Sequence, residues 1–158
     1  MEQSQPTYAG FWMRFLAYII DAVVMSIVSL IILIPFFGIL GVTAASNLES
    51  DLEDGGAGLM VALMGTYLIS VVIIVVVQWL YFALMESSAK RATLGKLALG
   101  IVVTDMAGNR VSFGRATGRY FGKIVSGLIL CIGYIMAGFT QQKQALHDIM
   151  AGCLVVRK

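Results

Sequence analysis

An aspartate inside a long apolar run is the residue in this chain best placed to do chemistry. Asp21 lies about ten residues into the apolar stretch 11–34, near the middle of any membrane that stretch would cross. A carboxylate at that depth is costly unless it is paired or protonated, so it should face protein or a water-filled cavity. Arg14 sits two helical turns earlier on nearly the same face, with Tyr18 between them. One reading makes Asp21 a cation-binding or proton-relaying carboxylate tuned by a nearby base. The other makes it a structural ion pair or hydrogen-bond acceptor between helices.

Near the carboxyl end, His147-Asp148 lies between Leu146 and Ile149. Asp148 could bind an ion, or it could cap a short turn and pair with an arginine. With a single histidine in the chain no His-rich metal site can be built, and no nucleophile-elbow pattern is present. Gly95-Lys96 is not a phosphate loop: Lys90 stands where the first glycine belongs, and Leu97 where Ser or Thr is needed. The acids of 49–54 lack EF-hand spacing. No cofactor is implied. Cys131 and Cys153 read as small packing residues, not as a disulfide scaffold.

The elements that must position these residues are membrane helices. Of 158 residues, 59% are hydrophobic and 13% charged, which points to lipid rather than to a soluble core. The runs 11–34 and 59–85 are long enough to cross a hydrocarbon core of about 30 Å. A cleaved signal peptide fits the first run poorly, because a basic leader is missing and an aspartate lies inside it. The first span is expected to stop near Pro35, and 41–58 to form a polar loop.

The net charge of +2 is too small to imply nucleic acid, but the charges are sorted along the chain. Glu49, Asp51, Glu53 and Asp54 lie between the two spans, while Lys90, Arg91, Lys96, Arg110, Arg115, Arg119 and Lys123 all follow the second. The positive-inside rule then places the basic segment and the amino terminus in the cytoplasm and the acidic loop outside.

The region 112–139 is less regular. Gly114, Gly118, Gly122 and Ser126 recur every four residues, a small-residue stripe that another helix, including one of a second copy, could approach. Arg115, Arg119 and Lys123 follow the same spacing and are expected to snorkel to lipid phosphates. The apolar remainder 124–139 is short for a full span, so 118–139 either crosses or bends near Gly133 and returns. Lys143, Arg157 and Lys158 favour the return. Pairing of 97–104 with 152–157 as strands at the cytoplasmic surface would require it. The expected fold is thus an all-α integral membrane protein: a polar tail 1–7, two clear transmembrane helices, and a third shorter Gly-rich helix or hairpin with a small β pairing.

Several of these residues together resemble the RDD family of bacterial membrane proteins. Tyr8-Ala9-Gly10-Phe11-Trp12-Met13-Arg14-Phe15, then Ala17 and Asp21, is similar to its opening helix, with Arg14 and Asp21 as the arginine and first aspartate. Ala92-Thr93-Leu94-Gly95-Lys96 through Gly100, then Val102-Val103 and Gly108, is similar to its middle motif, where the family often has Pro in place of Leu94. Gln144-Ala145-Leu146-His147-Asp148 through Ala151-Gly152 resembles its closing motif, with Asp148 as the second aspartate. The resemblance covers 8–156. It implies a multi-pass protein of the bacterial inner membrane and no enzyme active site. Transport of a small ligand, including monovalent cation/proton exchange on Asp21 with Arg14 and Asp148 tuning it, is the leading expectation. A homo-oligomer would supply the walls that three helical elements lack. The competing expectation is a non-catalytic scaffold that binds other membrane proteins or anionic lipid headgroups.

Overall fold

The computed structural model describes residues 7–47, 53, 55–129 and 132–158. The first six residues of the polar tail, most of the acidic loop and Cys131 lie outside them. In chain order the elements are α1 (Phe11–Ser46), α2 (Ala57–Ser87), α3 (Leu94–Ala98), β1 (Ile101–Asp105), α4 (Phe113–Leu128), α5 (Ile132–Phe139), α6 (Leu146–Ala151) and β2 (Cys153–Arg157).

Two helices, α1 and α2, are long and apolar enough to cross a membrane. At 1.5 Å per residue they run about 54 and 46 Å, well beyond a hydrocarbon core of about 30 Å. The expected stop at Pro35 does not occur: α1 continues through it to Ser46. Proline is tolerated inside membrane helices more readily than inside helices in water.

The chain divides into two compact units. One, Val24–Gln78, holds most of both long helices, and their apolar side chains are largely exposed, as for Ile31, Ile34, Val61 and Met64. In water such a surface would be a liability, whereas in hydrocarbon it is the expected exterior.

The other unit, Met1–Val23 with Trp79–Lys158, carries everything else. Its centre is a small antiparallel sheet in which Val103 pairs with Val155 and Asp105 with Cys153. The tail joins it on the far edge of β2, through a Tyr8–Val156 bridge and an Ala9 N–H to Val155 carbonyl bond of 2.9 Å. The strand pairing is therefore shorter than expected at its start, because Leu97-Ala98 belong to α3. Ile101, Val103, Val155, Cys153, Val111 and Ala9 pack as one buried cluster. Asp105 makes the turn after β1, its carboxylate accepting the N–H groups of Ala107 and Asn109.

Because β1 and β2 are hydrogen-bonded, the segment between them begins and ends at one sheet. This is the return topology. The axes of α4 and of α5, whose second residue is Gly133, lie at 103° to one another. Close packing of the two arms explains the glycine: a Cβ on Gly133 would lie 2.8 Å from the Ser126 side chain.

Gly152 ends α6 in the left-handed conformation, φ +60°, and turns the chain into β2. Gly152→Ala is expected to lower unfolding free energy by about 1 kcal/mol, measurable as a reduced melting temperature in detergent. An unchanged melt would mean that this turn does not set the position of β2.

Candidate functional site

α4 is amphipathic in the inverted sense. Ala116, Arg119, Gly122 and Ser126 face inward, whereas Phe121, Ile124, Val125 and Leu128 face outward, Leu128 at 80% exposure. The inward residues recur at spacings of three, three and four, which holds them on one helix face. A strict four-residue repeat instead drifts by about 40° per step. That drift separates the expected glycine stripe: Gly122 sits against His147, while Gly114 and Gly118 have no heavy atom within 4 Å of where a Cβ would stand.

Arg119 is 1% exposed and does not reach outward to lipid phosphates as expected. Its Nη1 donates to Glu86 Oε2 at 2.6 Å, and its Nε and Nη2 donate to Asp148 Oδ1 at 2.9 and 2.5 Å. The planar fork suits two carboxylates from different elements, which a lysine could not bridge in this way. Lys96 Nζ donates to Glu86 Oε1 at 2.6 Å. Lys123 Nζ lies 3.8 Å from the same oxygen and 4.0 Å over the Phe82 ring. Arg115, the third member of the expected cationic stripe, is on the surface, 3.9 Å from Asp105.

Asp148 also takes Arg14, whose Nη1 donates to Oδ2, while Arg14 Nε holds the Ala9 carbonyl at 2.9 Å. The Ala145 N–H donates to Oδ2 at 3.2 Å, so Asp148 closes the first turn of α6 as well as pairing with two arginines. Burial opposes its charge, but Arg119 and Arg14 hold the Asp148 carboxyl well below the usual carboxylate range. His147 is pushed down to about 3 by burial, despite Asp148 3.5 Å away, and is neutral at physiological pH. It lies 3.4 Å from Ser126 Oγ, which donates to the Gly122 carbonyl. Burial raises the thiol of Cys153, which is free.

Asp21 has a separate set of hydrogen-bond partners. Oδ1 accepts from Tyr81 Oη and the Gly95 N–H, both at 2.8 Å, and Oδ2 from Thr93 Oγ1 at 2.5 Å. The carboxylate of α1 thus caps the first turn of α3 from across the fold, in place of a local capping side chain. Gly95 is required by the closeness of this approach. A Cβ there would collide with the Ala17 carbonyl and stand 3.0 Å from the Asp21 carboxyl carbon.

Of the residues expected to matter, Arg14, Asp148, Arg119 and Lys123 share one buried cluster, and Asp21 occupies a neighbouring cap. Glu86, Tyr81 and Thr93 complete the two sets and were not singled out as site residues. Their available signal was position: Glu86 is the first charge after the long uncharged run. Among the described residues, no group of three His, Cys, Asp or Glu could hold a metal ion.

Arg119→Met would leave Glu86 and Asp148 short of their shared partner, an expected loss of about 3–5 kcal/mol. Arg119→Lys should recover only a minor part of it, as read by detergent melting. Full recovery by lysine would show that charge, not the fork, holds α4. Gly95→Ala should lower the melting temperature through the Ala17 collision, whereas a wild-type melt would mean that α3 is not seated against α1.

Comparison with known proteins agrees with this architecture. The chain is 42% identical over 152 residues to "Uncharacterized protein YxaI" of Bacillus subtilis, covering 95% of this chain and 97% of that protein. It is 31% identical over 157 residues to "Uncharacterized membrane protein YteJ" of the same organism, covering 96% and 82%. No solved structure matches it. Residues 8–152 match the RDD family, and with its two membrane-length helices and the Arg14, Asp21 and Asp148 positions accounted for, the chain belongs to the RDD family of membrane proteins.

Proposed function

We propose that this chain is a non-catalytic binding module of the bacterial inner membrane, amino terminus in the cytoplasm, which holds anionic lipid headgroups and other membrane proteins. One observation carries the reading. Each carboxylate oxygen of Asp21, Glu86 and Asp148 already accepts from, or pairs with, donors of the same chain. A cation could take none of these oxygens without displacing an arginine, a lysine or the Asp21 cap. Exposed cations support the lipid part: Lys90, Arg110, Arg115, Arg157 and Lys158 are exposed in the unit that carries the sheet, although Arg110 Nε also donates to the Ser87 carbonyl and Arg115 lies near Asp105. Basic residues near a membrane attract anionic headgroups by roughly 1 kcal/mol each.

The transport reading, with Asp21 as carrier, draws on a different observation. Arg14, Lys96, Arg119 and Lys123 surround only Glu86 and Asp148, and Arg14 Nη2 is buried without a partner. Charge left unbalanced at membrane depth is a mark of ion and proton pathways.

Sodium- and potassium-dependent proton flux in liposomes separates the two. The binding reading expects no flux from wild type, and a lowered melting temperature for Asp21→Asn, whose amide nitrogen would replace one of two oxygens that both accept hydrogen bonds. Wild-type flux that disappears in a stably folded Asp21→Asn protein would establish transport instead. For the lipid part, brominated phosphatidylglycerol should quench the tryptophans more than brominated phosphatidylcholine does. Replacing Lys90, Arg115 and Lys158 by Gln should remove that preference, and equal quenching by both lipids in wild type would end it.

A further inference from the structure

The buried cluster holds more positive than negative charge. Arg14 on α1, Lys96 on α3, and Arg119 and Lys123 on α4 gather around Glu86 on α2 and Asp148 on α6. His147 on α6 adds no charge, being neutral. Asp21 on α1, with Tyr81 on α2 at its side, is spent on the cap of α3 one residue from Lys96. Two positive charges therefore remain without a carboxylate of their own, with Asp21 close enough to act on Lys123, in a largely buried site that meets water only at its edges. Removing an ion from water costs several kcal/mol after relaxation, and only pairing offsets it.

A cluster of this kind lowers its energy by giving up a proton, and its composition limits where the proton can leave. Guanidinium groups do not deprotonate in proteins, which rules out Arg14 and Arg119. Burial lowers Lys123 as well, but it keeps 21% of its side chain exposed and rests over the Phe82 ring, so water and the ring share its charge. Lys96 has neither relief. Its side chain is 9% exposed, it shares Glu86 with Arg119 and Lys123, and its short helix fixes it there.

We propose that Lys96 is the proton-exchanging group of this cluster, and that its protonation is a pH-sensitive latch between α3 and α2. The step is a simple one: the Nζ ammonium loses one proton to water through its exposed edge, and no other bond is made or broken. The neutral amine still donates to Glu86, but the ionic tie is gone. Glu86 then keeps Arg119 and Lys123, the repulsion of these two cations on Lys96 is relieved, and α3 stays seated through the neutral amine, the Asp21 cap and the Leu94 N–H on Tyr81 Oη. Burial, with Arg119 and Lys123 close by, lowers the ammonium to about 8 against an ordinary value of 10.5, even with Glu86 opposing. This latch is independent of whether the chain binds partners or transports.

The sign of the stability effect follows from linkage. The group is depressed in the folded state, so between about 8 and 10.5 the unfolded chain binds more protons, and stability rises with pH across that window. Full-length protein in zwitterionic nanodiscs, labelled with 15N-lysine, tests the assignment directly. Of the five lysines in the chain, one Nζ should titrate near 8, and its signal should be missing from Lys96→Arg. A Lys96 signal that titrates at or above its ordinary value overturns the proposal. Melting temperature gives a second readout: wild type should gain on the order of 5 °C across the window. Lys96→Met and Lys96→Arg, one never charged and one always charged, should both lose that gain. A gain that persists in Lys96→Met, or that vanishes only in Lys123→Met, places the proton elsewhere and overturns the latch.

Discussion

One guanidinium shared between two carboxylates sets the geometry of the compact unit. Arg119 spans from Asp148 on α6 to Glu86 on α2, so three elements far apart in sequence are fixed by a single planar group. Arg14 then attaches α1 and the tail to Asp148, and Lys96 attaches α3 to Glu86. In water such pairs would contribute little. Here the outward faces of α4 and α5 are apolar, as at Leu128 and Phe139, and the surroundings offer few competing hydrogen-bond partners. Charges placed in such a shell have strong reason to remain paired, and so the elements that carry them remain together.

The Asp21 cap works by the same rule at a smaller scale. α3 is five residues long, too short to be stable by itself, and its unpaired N–H groups need an acceptor. The acceptor comes from α1, and Tyr81 on α2 steadies it while also receiving the Leu94 N–H at 3.1 Å. The apolar span around Asp21 therefore contains a polar residue for a local reason: it caps a helix whose own N-cap residue, Thr93, donates its hydroxyl to Asp21 and makes no capping bond itself.

Much of this was legible in the sequence. The two long helices follow from uninterrupted apolar runs, and the β pairing from two short β-branched pieces. The return of the chain follows from the basic residues that come after the third apolar segment. Asp148 was read either as an ion site or as a turn cap paired with an arginine, and in the structure it closes the first turn of α6 and pairs with Arg14 and Arg119. The direction of α4 was harder to read. Spacing alone lets Arg115, Arg119 and Lys123 form a stripe that reaches to lipid phosphates, and only the three-residue steps of Ala116, Arg119 and Gly122 reveal that the buried face runs through the arginine. Pro35 misleads for another reason, because a proline that ends helices in water need not end one in lipid. Tyr81 and Thr93 could not be found from sequence, because their roles depend on Asp21 arriving from across the fold.

A core held by charge is not the most stable one available, since well-packed apolar groups of equal volume often serve a fold as well or better. What charge adds is selectivity of arrangement: Arg119 can satisfy both carboxylates in few orientations, whereas leucines would pack in many. In a protein whose exterior is already apolar, an apolar interior would not distinguish inside from outside on α4, and the helix could turn about its axis at little cost. The inverted amphipathicity of α4 removes that freedom, because rotating it would expose Arg119 to hydrocarbon and strand Glu86 and Asp148. The surplus of positive charge is then a consequence of this construction: cations from α1, α3 and α4 converge on one carboxylate of α2 and one of α6, and the two carboxylates are fewer than the cations they hold.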